Sequence, residues 1–279
     1  MALTASVAWG VSDFIGGLMS RSRPPVTVLV ISQGVSLLGL SFVVLAFAGV
    51  PPAFGALVPA LLGGLAIAVG LLSLYRALAI GPMSVVAPLF SLGAVVTVLF
   101  GFASGDRPSA LQGVGIVVAV TGCFLAARSS SSERPSAEAS AHRRLAIIAA
   151  LLAAGGLGLG MVGLDAAADT DPLWALAAIR GASFVTIVAI AVITQGRGLM
   201  AQLRPVWPLP MLGALDLGAN VCFAYASTLG LLAVVGVLAS VYPAVTVLLA
   251  AALLHERMRS VQGVGVLAAF GGVVMLVAG

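Results

Sequence analysis

The sequence predicts an all-α integral membrane protein whose ten transmembrane helices form two inverted five-helix repeats. Three observations support this prediction: 61% of the 279 residues are hydrophobic, only 8% are charged, and a motif of the first half recurs in the second. A soluble domain carries about 25% charged residues. With a mean hydropathy of +1.19, most of this chain is expected to lie in a lipid bilayer.

Apolar segments of spanning length, interrupted by Pro, Gly and charged residues, define the ten predicted helices. At roughly 20 residues per span, they leave no room for a sizeable soluble domain. The predicted spans cover residues 3–20, 26–48, 55–79, 83–103, 110–127, 145–164, 173–194, 208–228, 231–253 and 261–278. A polar linker at 128–144 is too poor in apolar residues to pack, and it separates a first repeat, 1–127, from a second, 145–279.

The repeat is visible in a tetrapeptide, Gln-Gly-Val-Gly, that occurs at Gln112–Gly115 and again at Gln262–Gly265. In both halves an acidic residue and an arginine precede it at the same distance. Because five spans are an odd number, the second repeat enters the membrane in the opposite sense to the first. Inverted repeats of this kind place a binding site near the midplane between the halves.

The thirteen basic residues are all arginines, and eleven of them lie in or beside the loops that follow the first, third, fifth, seventh and ninth spans. We call these the arginine-rich loops. The positive-inside rule places them in the cytoplasm and both termini outside. The arginines are scattered singly, which does not favour a nucleic-acid partner. The first 20 residues lack a basic n-region and a clear cleavage site, so a first transmembrane helix is expected there rather than a signal peptide.

Three charged residues, Asp13, Arg180 and Asp216, lie well inside predicted spans. Each is about 12–15 Å from a span end at 1.5 Å per residue. Charges at that depth are costly and usually pair or line a substrate or ion path. One arginine can pair tightly with at most one carboxylate, so Asp13 or Asp216 is predicted to accept a proton in a coupled cycle. A buried pair that only holds helices together is the alternative.

Polar and aromatic residues on the same and neighbouring spans complete a predicted substrate cavity, and prolines within the fourth and ninth spans are predicted hinges. The predicted cavity consists of Trp9, Ser12, Asp13, Tyr75, Ser91, Arg180, Asp216, Asn220, Tyr225, Ser240 and Tyr242. The predicted hinges are Pro88 and Pro243. A glycine pair, Gly156 and Gly160, is expected to allow close helix crossing within the monomer rather than to form a dimer face.

The sequence contains no motif of a hydrolase, metalloprotease or nucleotide-binding site, so no enzyme activity, metal or cofactor is expected. Both histidines, His142 and His255, lie in or beside connections. The two cysteines, Cys123 and Cys222, lie in apolar runs without metal-ligand spacing and are expected to be buried thiols.

Several of these segments together resemble the EamA family of the drug/metabolite transporter superfamily. They are Trp9-Gly10, Pro25, YRALAIGPMSVVAPL at 75–89, GDRPSALQGVG at 105–115 and HERMRSVQGVG at 255–265. The resemblance covers essentially the whole chain. Family members often carry an arginine in the second span, where this chain has Gln33, and are often drawn with cytoplasmic termini, which conflicts with the arginine count.

The resemblance implies a secondary transporter in the cell membrane that moves small metabolites, such as amino acids or amines, outward by alternating access. A proton or solute gradient would supply the energy, so a small molecule, protons and the lipid bilayer are the expected partners. The alternative functions are a non-transporting membrane partner or assembly protein on the same scaffold, and a channel.

Overall fold

The computed structural model describes residues 1–103, 109–126, 137–168, 171–196, 198–199, 207–229, 242–256, 258 and 260–279. Throughout these ranges the regular structure is α-helical. The helices, in chain order, are α1 (Ala2–Ser20), α2 (Pro25–Phe47), α3 (Phe54–Ile80), α4 (Met83–Ser91), α5 (Gly93–Ala103), α6 (Ala110–Ala126), α7 (Ala137–Ala168), α8 (Pro172–Gln195), α9 (Leu209–Leu229), α10 (Tyr242–Leu253) and α11 (Ser260–Ala278).

The helices have the length and surface of a membrane protein. Within the described ranges, six of them are long and apolar enough to cross a bilayer, and four shorter apolar segments lie at 83–97, 110–126, 209–223 and 242–253. Large apolar side chains remain exposed on helix surfaces, including Phe42 at 74%, Leu45 at 83% and Ile193 at 82%. Lipid tails suit such surfaces, while water does not. The described residues are therefore all-helical, as predicted, and six of their helices have the length and composition needed to span a membrane.

Two predicted segments differ in detail from the structure. The predicted span 83–103 consists of α4 and α5, which are separated at Leu92. Helix α7 begins at Ala137, so helical structure extends into the residues predicted as a linker. Residues 137–144 include three Ala, two Arg and one Glu, which favour helix although the segment as a whole is polar. Of the predicted span 231–253, the structure describes residues 242–253.

Helix ends follow local sequence signals. Asp171 precedes α8, and its Oδ1 accepts hydrogen bonds from the backbone N–H of Leu173 at 2.9 Å and of Trp174 at 3.0 Å. These bonds satisfy amide groups that have no partner within the helix. Gly196 ends α8 with φ at +52°, a conformation that favours glycine.

Glycines allow two very close helix crossings. An added Cβ at Gly156 of α7 would overlap backbone atoms of Ala66 and Gly70 in α3, and one at Gly160 would overlap Ile67. The Gly156–Gly160 pair therefore packs within the chain, as the sequence predicts.

The second close crossing joins α6 to α11. Gly115 lies against Gly272, while Gly122 lies against Gly265 and Ala269. The contact partners run in opposite directions along the two helices, so α6 and α11 are antiparallel. Substituting any of the four glycines would push the backbones apart.

Five helices form a closed cycle of contacts. Helix α1 packs against α9, α9 against α2, α2 against α8, α8 against α3, and α3 again against α1. Helix α10 packs on α1 and α4 from outside this cycle. The three charged residues predicted at depth all lie on helices of the cycle.

Candidate functional site

An ion pair between α8 and α9 lies at the heart of the candidate site. Arg180 Nη1 is 2.9 Å from Asp216 Oδ2, and the two side chains are only 18% and 14% exposed. Arg180 lies eight residues into α8, which is about 12 Å along the helix axis. The positive charge is thus held at depth by one of the two predicted carboxylates.

Two neutral side chains of α2 complete this contact. Gln33 Oε1 accepts a hydrogen bond of 3.1 Å from Arg180 Nη1. Ser36 Oγ donates one of 2.8 Å to Asp216 Oδ2. We call Gln33, Ser36, Arg180 and Asp216 the polar network. It links α2 of the first half to α8 and α9 of the second.

Sequence reasoning did not include Gln33 or Ser36 among the candidate residues. Both are uncharged, and such residues commonly hold membrane helices together. Their mid-helix position one turn apart on α2 was the only available signal. Their role becomes visible once α2 is packed against α8 and α9.

The second carboxylate, Asp13, has a different environment. It lies on α1 and is partly exposed, and within the described residues it forms no hydrogen bond or ion pair. It is close enough to Asp216 for the two carboxylates to interact electrostatically. Among the residues that the structure describes, Asp216 is therefore paired with Arg180, and Asp13 has no such partner.

Aromatic rings gather beside Asp13. Trp9, one helical turn before it, has its ring centroid 5.8 Å from that of Phe223 and 6.0 Å from that of Tyr242. Tyr242 also packs edge-on against Phe90, at 6.2 Å between centroids. We call Trp9, Phe90, Phe223 and Tyr242 the aromatic cluster. Phe90 and Phe223 were not among the predicted site residues, because phenylalanines in an apolar chain give no distinguishing signal.

On the other side of Asp13, α1 contacts α3 and α9. Tyr75 is 2% exposed, and its ring and hydroxyl group lie directly against Gly16. Ser12 Oγ donates a hydrogen bond of 3.4 Å to the carbonyl oxygen of Leu212, one turn before Asp216. Residues 9, 13 and 16 share one face of α1. Asp13 is therefore placed between the aromatic cluster and Tyr75.

The remaining predicted cavity residues are placed less centrally. Asn220 donates its side-chain amide to the main-chain carbonyl of Asp216 on its own helix. Ser91 is buried and donates to the carbonyl of Pro88 at 2.6 Å. Ser240 and the side chain of Tyr225 lie outside the described residues. The structure thus brings together Trp9, Ser12, Asp13, Tyr75, Arg180, Asp216 and Tyr242.

Pro88 lies just before the interruption between α4 and α5. Its carbonyl accepts hydrogen bonds from Ser91 Oγ and, at 3.1 Å, from Cys123 Sγ of α6. The amide of Leu92 bonds instead to the carbonyl of Leu89 at 3.2 Å. Because the Leu92 amide is directed to Leu89, the Pro88 carbonyl lacks its usual helical donor, and Ser91 and Cys123 supply alternative donors.

Pro243, the other predicted hinge, is buried and is the second residue of the described part of α10. Thr246 nearby donates a hydrogen bond of 3.0 Å to the carbonyl of Gly10. An added Cβ at Gly10 would crowd Tyr242 and Val245. The start of α10 is therefore packed tightly on α1.

A second charged contact closes one end of the bundle. Glu256 Oε1 and Oε2 accept hydrogen bonds from the backbone N–H groups of Met83, at 3.1 Å, and Ser84, at 3.0 Å. Arg21 Nη2 lies 3.5 Å from Glu256 Oε1. We call this contact the Glu256 clamp. It joins the loop after α10 to the beginning of α4 and to the end of α1.

Known proteins give a consistent comparison. A model of the EamA-like transporter family matches residues 1–128 and 144–278. One solved crystal structure aligns with 98% of this chain and 94% of its own, with a TM-score of 0.59 and 16% sequence identity. At that identity the likeness shows the fold alone. Among curated proteins, none matches this sequence.

Proposed function

Because this chain belongs to the EamA-like transporter family, we propose that it is a secondary active transporter that exports a small metabolite across the cell membrane by alternating access. The observation that carries the proposal is the polar network, which joins the two halves through charged groups inside apolar helices. Charged groups at such depth typically belong to substrate or ion paths.

Contacts between helix ends support ten spans. Gln195, after the seventh predicted span, bonds to Thr27 at the start of the second. The Glu256 clamp joins the arginine-rich loops after the first, third and ninth spans, or their flanks. At the other end, Trp174 Nε1 donates to the carbonyl of Gly49, and Gln112 Nε2 donates to that of Leu276. Each contact joins ends that an alternating ten-span path places on the same side.

Helix packing supports inverted repeats. In the two repeats, α1 is equivalent to α7, α2 to α8 and α3 to α9. The α2–α9 contact therefore corresponds to α8–α3, and the α1–α9 contact corresponds to α7–α3. All four contacts are present. The α6–α11 crossing converts into itself, since Gly115 on Gly272 becomes Gly265 on Gly122. The last glycine of each Gln-Gly-Val-Gly motif lies in that crossing. An approximate twofold axis through it would relate the halves, as inverted repeats require.

The proposed substrate site lies between the polar network and the aromatic cluster. Asp13 and Asp216 are the candidate proton acceptors. Asp13 has no ion pair within the described ranges, and Asp216 would exchange its ion pair for a proton when the network opens. The charged and titratable groups that face them are Arg180 on α8, Tyr75 on α3 and Tyr242 on α10. Proton binding and substrate binding would compete for these carboxylates.

The Glu256 clamp and Pro88 supply the moving parts in this proposal. The clamp holds the N-terminus of α4 at the arginine-rich end. Pro88 and the interruption at Leu92 allow that half-helix to tilt against α5. Release of the clamp would open the site toward the arginine-rich end, and re-formation would close it. By the positive-inside rule, that end would be cytoplasmic.

Counterflow in proteoliposomes tests the proposal. Purified protein is reconstituted in vesicles loaded with one unlabelled solute, and uptake of the same labelled solute is followed across a panel of amines, amino acids, nucleosides and organic acids. Saturable exchange of any solute supports a transporter. Unsaturable flux would indicate a channel, and no flux across the panel would favour a non-transporting membrane partner.

A further inference from the structure

The charge balance of the proposed site indicates the class of solute it suits. Arg180 and Asp216 neutralise each other at 2.9 Å. Asp13 remains without an ion pair among the described residues. A monovalent cation would compensate this carboxylate, whereas a second carboxylate placed nearby would add an uncompensated negative charge, which is expensive in a buried site.

The side chains of α2 do not alter this balance. Gln33 occupies the position facing Arg180 and provides a neutral amide oxygen, 3.1 Å from Nη1. Ser36 is also neutral and donates to Asp216. A carboxylate-bearing solute would therefore meet a guanidinium whose charge is already balanced, with no second cation on α2 to assist it.

The aromatic cluster supplies a surface for a cation with an apolar body. Trp9 and Asp13 are four residues apart and share a face of α1. Trp9 and Tyr242 both remain partly exposed although Phe223 and Phe90 pack on them. Faces of Trp and Tyr attract cations, most strongly where water is excluded. A carboxylate next to such rings is a recognised arrangement for binding amines and quaternary ammonium groups.

We propose that the solute recognised at this site is a monovalent organic cation with an aromatic or apolar body, held by Asp13 and the aromatic cluster, rather than a zwitterionic amino acid or an organic anion. This inference rests on the proposed transport function. It narrows the expected range of metabolites, which at the level of the sequence includes amino acids as well as amines.

The test uses three probes that share an indole ring and differ in charge: tryptamine, tryptophan and indole-3-propionate. Their binding to the purified full chain in lipid nanodiscs is measured by calorimetry. Tryptamine is expected to bind at least about tenfold more tightly than either of the others, a difference that one charge contact with cation–π support would give. Equal binding of the three probes to the unmodified protein, or tighter binding of tryptophan or indole-3-propionate, would overturn the inference.

Matched variants then assign the effect to residues. Asp13→Asn and Trp9→Leu are expected to reduce tryptamine affinity about tenfold. Asp165→Asn, an exposed acid near the end of α7, and Trp174→Leu, whose indole bonds to Gly49 at a helix end, should leave it unchanged. Unaltered tryptamine binding in Asp13→Asn would contradict the assignment.

The same probes separate this inference from the transport proposal. Counterflow of tryptophan or indole-3-propionate without a preference for tryptamine would support the transport function and contradict the cation site. Tight tryptamine binding with no exchange of any solute would support the cation site and contradict the transport function.

Discussion

Ser36 of α2 donates a 2.8 Å hydrogen bond to the same Asp216 oxygen that Arg180 contacts at 2.9 Å. Ser36 belongs to the first half of the chain, and Asp216 belongs to the second. The ion pair is therefore anchored across the interface between the halves by a neutral donor. A relative movement of the halves can break this hydrogen bond while the ion pair stays within the second half.

The polar network is expected to act as one unit. In a double-mutant cycle of Arg180→Gln and Asp216→Asn, each single change leaves its partner unpaired at depth. The double variant should therefore lose less free energy of unfolding than the sum of the two single losses. The expected coupling is about 0.5–3 kcal/mol. It is measured by unfolding in detergent. Strict additivity of the two changes would mean that the contact contributes nothing. Ser41→Ala, which removes an exposed hydroxyl on α2, serves as a neutral control.

The α6–α11 crossing is expected to tolerate no side chain. Gly122→Leu should destabilise the protein by about 1–3 kcal/mol or more, because an added Cβ overlaps the backbone of Ala269. Gly272→Leu, its equivalent in the other half, should behave alike. Gly113→Leu is the control, since nothing lies within 4 Å of a Cβ added there. Thermal unfolding with size-exclusion chromatography measures the effect, and equal stability of all three variants would refute the crossing.

These glycines show what could be predicted from sequence. The Gln-Gly-Val-Gly repeat predicted equivalent positions in the two halves. The motif follows an acidic residue and an arginine at the same distance each time, which distinguishes it in a sequence composed mostly of apolar residues. The pairing of Gly115 with Gly272 depends on long-range packing that no local pattern encodes. The interruption at Leu92 was missed as well, since Pro88 indicates a kink but not where the helix restarts.

The candidate site shows the same division. Charged residues inside spans are rare enough to identify Asp13, Arg180 and Asp216 directly. Which carboxylate pairs with Arg180 is decided by how α8 meets α9. Gln33 and Phe223 resemble many other neutral residues of this sequence, so only their contacts distinguish them. Glu256 is the acidic residue that precedes the second Gln-Gly-Val-Gly motif, but its hydrogen bonds to α4 depend on the three-dimensional arrangement.

The Glu256 clamp is expected to control access at the arginine-rich end. In a background with Cys123→Ser and Cys222→Ser, Ala79→Cys places a thiol in the shallow cavity beside Arg21 and Glu256. Adding Glu256→Gln removes the charge that holds Arg21 and weakens the bonds to α4, so a membrane-impermeant maleimide should label that thiol several-fold faster.

Asp171→Asn is the matched control for the clamp. Asp171 also accepts two backbone N–H bonds at a helix start, but on α8. The Asp171→Asn change should leave the labelling rate of the Ala79→Cys thiol unchanged. The clamp's role as a gate would be rejected if Glu256→Gln and Asp171→Asn altered the labelling rate equally.

Pro88 is expected to affect movement more than binding. Pro88→Ala restores a backbone N–H that can continue the helix, which should stiffen α4 against α5. We expect slower exchange in proteoliposomes with substrate affinity little changed. Pro59→Ala, a proline within α3, is the control. A loss of affinity with an unchanged exchange rate would show that Pro88 shapes the site instead.

Alternating access through the arginine-rich end is tested most directly by locking that end. Arg21→Cys and Glu256→Cys, combined in the Cys123→Ser and Cys222→Ser background, are joined by a reducible bifunctional thiol reagent, and counterflow is measured before cross-linking, after it and after reduction. The single-cysteine proteins treated alike are the controls. Our account predicts that cross-linking abolishes exchange while solute binding persists, and that reduction restores exchange. Undiminished exchange in the cross-linked protein would contradict it.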